Sequence, residues 1–424
     1  MDEQQDNSGL IREMMPCVRC GQCRSVCPVF SARGVESDAP RGKVALVRAL
    51  LEGTIEPNAA LIERIDQCLL CQTCVQDCPS GVRVDRIVIA ARERIARQKG
   101  VPIRKKFLTR WLMPNLNRLR FFITLIAKLQ GLIGSKVAAG SYRKPRYRIP
   151  ITGKRLLPDL TGQTLHTLVQ ERPKTGKIDR KVMFFSGCMI TYVNPGIGKA
   201  VLEVCERNHV DVVVPEEQVC CGLPSLAAGD RDTFEELRQQ NLAVLMESGC
   251  DTIITACASC GSTLKEHYGQ DLPMKIYDFS EFLSDHLKLD PLPKSVQKTA
   301  TYHDPCHLRK AQKIKDQPRS LLKRVPGLSF QDVKDPDRCC GFGGTFSMSQ
   351  EKLSQEINDT TVKQLIETGA EMVVTSCPGC MLHLANGLHR AGSTARVVHL
   401  AEVLAASCGE ITEEEGEADI RYET

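Results

Sequence analysis

The sequence predicts an α-helical N-terminal domain followed by a tandem repeat of two α/β units. Three observations carry this. Eight cysteines within residues 1–100 fall into two copies of one short motif. The spacer between those copies is helix-like. Beyond residue 179 the cysteines recur at an offset of about 120 residues, each set following β-rich runs.

The N-terminal motif is "CVRCGQCRSVCP" (Cys17, Cys20, Cys23, Cys27, Pro28) and again "CLLCQTCVQDCP" (Cys68, Cys71, Cys74, Cys78, Pro79). C-x2-C-x2-C-x3-C-P is the run of two-cluster bacterial ferredoxins, in which the fourth cysteine serves the other cluster. The spacing therefore assigns Cys17, Cys20, Cys23 and Cys78 to one [4Fe–4S] cubane. Cys68, Cys71, Cys74 and Cys27 go to the second. Zinc is the competing ligand for paired CxxC motifs, but it takes four ligands and does not account for two full runs, each closed by proline. The spacer segments "PRGKVALVRALLEG" (40–53) and "NAALIERIDQ" (58–67) read as helices. The domain is thus a helical ferredoxin.

The repeat runs from "KVMFFSGC" (181–188) through "CCG" (220–222) to "CDTIITACASC" (250–260). It returns as "TATYHDPC" (299–306), "CCG" (339–341) and "AEMVVTSCPGC" (370–380). Each half reads as an α/β unit whose cysteines stand just past strand ends, where such folds build their sites. The five-cysteine sets are Cys188, Cys220, Cys221, Cys257, Cys260 and Cys306, Cys339, Cys340, Cys377, Cys380. Adjacent cysteines are poor disulfide partners, since neighbouring Cα atoms sit about 3.8 Å apart, below the cystine range of about 4.4–6.8 Å. Five thiolates exceed the need of a zinc ion or a regular cubane. An iron–sulfur cluster of unusual shape is the expectation. The glycine after each pair permits close backbone approach.

Composition agrees with a metal role for the thiols. The chain has 424 residues, 42% hydrophobic and 25% charged, with 21 cysteines. A chain this long needs no disulfides for stability, and its cysteine count is odd. The opening "MDEQQDNSGLIREMMP" lacks the apolar stretch of a secretory signal. A reducing, cytoplasmic compartment is expected. A net charge of +5 makes no case for nucleic acid. No strand-turn-helix glycine fingerprint for NAD or FAD stands out; "GFGGTF" (341–346) is explained by the cysteine pair it follows. The chain is not expected to take a hydride from a substrate by itself.

Cys-x(~31)-Cys-Cys-Gly-x(~35)-Cys-x-x-Cys, twice behind a two-cluster ferredoxin domain, resembles the cysteine-rich (CCG) domain family. That family includes heterodisulfide reductase catalytic subunits and the iron–sulfur subunits of glycolate oxidase and lactate dehydrogenases. "APRGKVALVRALLEG" (39–53) and "RIDQCLLCQTCVQDCPSGVRVDRIV" (64–88) are similar to the glycolate oxidase subunits. The fold implied is an α-helical ferredoxin domain followed by a tandem repeat of two α/β CCG domains. Its expected divisions are 1–100, a basic helical linker 101–178, CCG domains 179–290 and 291–410, and an acidic tail 411–424. The resemblance implies one or two non-cubane [4Fe–4S] clusters on the two sets of five, beside the two cubanes. It further implies an electron-transfer subunit, relaying electrons from an FAD-containing partner that oxidises glycolate or lactate to a quinone or another acceptor. The alternative is a heterodisulfide reductase-like subunit that reduces a disulfide at a non-cubane cluster. Both CxxC motifs are complete, as in heterodisulfide reductase-type chains.

Other features stand outside these sets. Cys205, Cys250 and Cys408 are expected to be inert buried thiols. His303 and His307 flank Cys306 in "HDPCH" and have no counterpart in the first repeat. They are expected either to face a cluster or to be satisfied core histidines. Residues 94–158 contain no Asp or Glu. Within them Leu108, Leu112, Leu116, Leu119, Ile123 and Ile126 follow helical spacing, broken by Pro114. Such a basic amphipathic helix docks on a partner subunit or lies peripherally on the inner face of a membrane.

Overall fold

The computed structural model describes residues 3–137, 141–149, 153–170 and 178–408. The acidic tail, 411–424, lies outside them.

Through residue 133 every regular element is a helix. Both spacer helices form, at Pro40–Leu51 and Ala59–Asp66. Pro40 opens the first, where its fixed φ suits a helix and its missing N–H costs nothing. Asn58 caps the second by accepting from Leu61 N at 2.9 Å. The long helix Val84–Lys99 presents Val84, Ile87, Val88, Ala91 and Ile95 on one face. That face packs with Val44, Val47, Leu50, Leu61 and Ile65 into a core of its own. Burying each large aliphatic side chain there contributes about 1.5–3 kcal/mol.

The basic segment breaks where Pro114 stands. A π-helical turn ends at Leu112 and a new helix, Leu116–Ile133, starts after the Asn115 cap. The expected face, Leu112, Leu116, Leu119 and Ile123, is half-buried, while Ile126 is exposed; the Leu108 side chain lies outside the described residues. A second stripe, Phe121, Leu125, Leu129 and Leu132, is exposed to solvent, with Phe121 at 62% and Leu132 at 71%. The expected linker is not helical throughout. Strands β1 (Gly134–Lys136), β2 (Tyr142–Pro145) and β3 (Leu157–Pro158) form a small antiparallel sheet. Tyr142, Leu156 and Leu165 belong to the core of the following α/β body, so that body recruits chain from before residue 179.

The first α/β unit has β4 (Arg180–Phe184), β5 (Val210–Val213), β6 (Thr252–Thr255) and β7 (Lys275–Asp278), in the order β5-β4-β6-β7. The second has β8 (Lys298–Tyr302), β9 (Leu328–Phe330), β10 (Met372–Thr375) and β11 (Arg396–His399), in the order β9-β8-β10-β11. All pairings in both sheets are parallel. Continuous apolar runs such as Val182–Phe185 are buried on both faces, as helix-covered parallel strands require. In each unit the order reverses beside the first strand, so a crevice opens at the strand ends between the first strand and the third. The two units share one hydrophobic core, to which helices Pro195–Arg207 and Leu400–Cys408 both contribute.

Arg92 ties the helical domain to the first α/β unit. Its guanidinium donates to the carbonyls of Ile65 (3.0 Å), Asp66 (3.2 Å) and Cys68 (2.7 Å), and to that of Ala227 (2.9 Å) across the domain boundary. Gly229 lies under the same turn of helix. A Cβ there would sit 2.4 Å from the Arg92 carbonyl oxygen, and its φ of +77° already disfavours other residues. Gly229→Ala is expected to destabilise the protein by about 1–3 kcal/mol and loosen this docking. Denaturant unfolding, with limited proteolysis around residue 100, checks it.

Candidate metal centres

The ferredoxin cysteines sit on two loops with the same backbone. In each, the residue before the second cysteine and the residue after it are left-handed: Arg19 (φ 56°) and Gly21 (88°), then Leu70 (55°) and Gln72 (59°). Three of the four are not glycine, and each left-handed L-residue costs about 1–2 kcal/mol. The strain turns successive thiols inward to face one point. The structure gathers Cys27, Cys68, Cys71 and Cys74 around one cavity. A second is lined by Cys17, Cys20, Cys23 and Cys78, and also by Cys74, which lines both. Each cavity offers soft thiol donors, three from one motif and one or two from the other, a set that fits an iron–sulfur cluster.

Each set of five is built at the strand-end crevice. In the first, Cys188 follows β4, Cys220 and Cys221 follow β5, and Cys257 follows β6 as the N-cap of helix Ala258–His267. In the second, Cys306, Cys339, Cys340, Cys377 and Cys380 occupy the equivalent places, with Cys377 capping helix Pro378–Arg390. A helix N-terminus favours the thiolate. Gly222 and Gly341 after the paired cysteines have φ of 86° and 83°, the requirement that makes this residue glycine twice.

The thiols are in mutual contact. Cys188 Sγ lies 3.9 Å from Cys220 Sγ, and Cys340 Sγ lies 3.1 Å from Cys380 Sγ. Hydrogen bonds from Cys220, Cys339 and Cys257 hold Cys221, Cys340 and Cys377 respectively below the ordinary thiol range, Cys340 down to about 5. Contacts also cross between sets. The thiols of Cys257 of the first and Cys377 of the second lie against one another, as do those of Cys71 of the ferredoxin domain and Cys339. The four groups thus line up: the Cys17 set, the Cys27/Cys68 set, the second five, the first five. Cys20, at the outer end, is exposed. Cys205, Cys250 and Cys408 are buried in the apolar core.

The dicluster 4Fe-4S domain family matches residues 13–82, and the cysteine-rich domain family matches residues 182–265 and 300–385. A probable glycolate oxidase iron–sulfur subunit of Bacillus subtilis is 32% identical, over 94% of this chain and 95% of that one. The chain belongs to this family. The Escherichia coli glycolate oxidase iron–sulfur subunit is 27% identical over 92% of each chain. Lactate utilization protein A of Bacillus cytotoxicus is 33% identical over 53% of this chain and 98% of its own.

Sequence reasoning missed the residues that support the cysteines of this family member. Lys43 is buried in the wall of the first ferredoxin cavity and donates to the Asp38 carbonyl at 2.6 Å. Burial pushes its pKa down, while the charges of Cys68 and Cys27 pull it back up. Arg41 lines the second cavity, held by the Arg19 carbonyl at 2.9 Å. Each cavity thus has a cationic side chain in its wall, Lys43 in the first and Arg41 with Arg19 in the second, to offset thiolate charge. A signal existed: Lys43 shares a helix face with buried Val47 and Leu50. The carbonyls of the paired cysteines are satisfied by side chains from the following elements. Asn241 donates to Cys220 O (3.0 Å) and Tyr268 to Cys221 O (3.0 Å). Thr361 donates to Cys339 O (2.8 Å) and Asn358 to Cys340 O (2.9 Å). Their partners are adjacent only in the folded chain.

His307 does not face a cysteine set with a free nitrogen. Nε2 donates to the Leu70 carbonyl at 3.1 Å, because a carbonyl only accepts, and Nδ1 accepts from the Ser259 hydroxyl at 3.1 Å. It clamps the ferredoxin loop and the first α/β unit onto the second.

Tyr268→Phe and Thr361→Val each leave a buried carbonyl unpaired. Each is expected to cost about 1–3 kcal/mol. Thermal or denaturant unfolding measures the loss, and iron content per chain shows that the affected half also retains less metal.

Proposed function

We propose that the chain is the electron-relay subunit of a 2-hydroxy-acid dehydrogenase acting on glycolate or lactate. In this reading an FAD-containing partner removes the hydride, and a quinone or comparable carrier receives the electrons. The observation that carries it is the unbroken line of four cysteine groups, joined at Cys74, Cys71–Cys339 and Cys257–Cys377. A bound iron–sulfur cluster supplies one-electron exchange, and the surrounding charge, burial and hydrogen bonds set its potential. Cys17, Cys20, Cys23 and Cys78 would hold one cubane; Cys27, Cys68, Cys71 and Cys74 the other. The two sets of five would each hold a non-cubane [4Fe–4S] cluster. Lys43 and Arg41 stabilise the anionic thiolates of their cavities, and His307 fixes the spacing at the domain junction. The relatives named for glycolate oxidase and lactate utilization support the substrate class.

Among the described residues no helix is long and apolar enough to cross a membrane. Peripheral contact has a candidate surface. Exposed Phe107 and Trp111, stacked at 4.9 Å, continue into the Phe121–Leu132 stripe, within a segment that holds no acidic residue between 94 and 158. Aromatic and aliphatic side chains among cations suit the interface of an anionic bilayer.

Anaerobic purification with iron quantification tests the cluster assignment. About sixteen irons per chain are expected for four clusters; about eight would remove the two non-cubane ones. Adding glycolate or lactate to the chain bound to its flavoprotein should bleach the visible iron–sulfur absorption, and adding either to the isolated chain should not. Disulfide reduction by the isolated chain would instead favour a catalytic role.

For the surface, flotation with vesicles containing phosphatidylglycerol should carry the protein, and neutral phosphatidylcholine vesicles should not. Phe121→Glu with Leu125→Glu should abolish flotation without changing iron content. Failure to float with either vesicle type would rule the membrane contact out.

A further inference from the structure

His303 directly follows β8 and is buried, with 3% of its surface exposed. Its backbone N–H is spent on the Val374 carbonyl at 2.9 Å, which fixes the strand end. Asp304, next in the chain, is gripped by both Arg319 nitrogens at 2.8 and 2.6 Å. The imidazole therefore has little freedom to turn away. Its Nε2 is buried and has no hydrogen-bond partner. Such an orphan is rare in a native interior and calls for a missing partner. A ring nitrogen of His303 and the sulfurs of Cys340 and Cys380 all lie within 4.8 Å of one another. Nothing comparable exists in the first repeat. At the offset of 118 that relates Cys188 to Cys306, His303 corresponds to Phe185, a fully buried apolar ring.

We propose that His303 donates an Nε2–H hydrogen bond to the sulfur of Cys340 or Cys380, or to a cluster sulfide between them, and so raises the reduction potential of the second five-cysteine site above that of the first. The inference rests on reading the second set of five as a cluster site. A hydrogen bond to sulfur stabilises the more negative, reduced state, so the donor moves the potential upward. Five cysteines already meet the ligand demand, which leaves the nitrogen as donor. The duplicated fold thereby gains an asymmetry: the site in contact with Cys71 holds an electron more tightly than the site beyond it.

The test uses the full chain, anaerobically loaded, with its clusters titrated by potential and followed by EPR. His303→Phe, the residue the first repeat uses, should lower one midpoint by about 59 mV, a tenfold change in the reduced fraction at fixed poise for a one-electron couple. The other midpoints and the iron content should not move. His303→Gln, which keeps an N–H donor, should recover part of the shift. Should the Phe variant lose its iron, the wild-type protein still decides the matter. Histidine labelled with ¹⁵N in the ring should give a ¹⁵N coupling to the reduced second cluster in pulsed EPR. A cluster present at the second site without imidazole coupling, or with midpoints unchanged in His303→Phe, overturns this inference alone. No cluster signal from that site overturns both the inference and the reading it rests on.

Discussion

Thiol sulfurs must converge, and the rest of the chain is arranged around that demand. Sulfurs brought within bonding reach repel one another once ionised, and burial in an apolar body adds to the cost. The protein meets this by local means. Left-handed residues turn the ferredoxin loops inward, and Gly222 and Gly341 do the same after the paired cysteines. Helix N-termini stand behind Cys257 and Cys377. Lys43 and Arg41 bring a positive charge to each ferredoxin cavity. The carbonyls that these turns expose are met by Asn241, Tyr268, Thr361 and Asn358. Without those donors the turns would bury unpaired backbone oxygens and open toward water.

A second demand follows from the first. Cysteine groups useful in series must hold their separations, so the domains cannot move freely. Several polar contacts lock them. Arg92 spans four carbonyls in two domains. Glu266 of the first α/β unit receives Arg83 and Arg86 from the helical domain. His307 joins Leu70 to Ser259, and His399 reaches the carbonyl of Ala256, one residue before Cys257. Charged pairs at such boundaries add orientation more than stability. Stability comes from the core that the two α/β units share.

The repeat shows how one topology is made to serve two unequal sites. Strand order, the glycine after the cysteine pair and the capping cysteine are the same in both. The differences lie at Phe185 against His303, Gly187 against Pro305, and Asn241 against Thr361. Gly187 is explained by crowding, since a Cβ there would meet Cys260 Sγ at 2.9 Å. Sequence periodicity cannot rank such differences, because each is read only against the neighbours that folding supplies.

Much of the fold was legible from spacing alone. The C-x2-C-x2-C-x3-C-P runs, the helical periodicity of 40–53 and 58–67, and the 118-to-120-residue offset are local patterns, and local patterns survive in a sequence. They determined a helical dicluster domain and two α/β units that carry matching sets of cysteines. Tertiary structure decided what depends on distant partners. It placed the Cys71 thiol against Cys339 and that of Cys257 against Cys377. It gave His307 two partners and left His303 Nε2 with none. It turned the second half of the supposed linker into strands and core. The physical reason is one of range: turns and caps are set by residues a few positions apart, whereas which sulfur meets which across domains is set by how whole apolar faces pack.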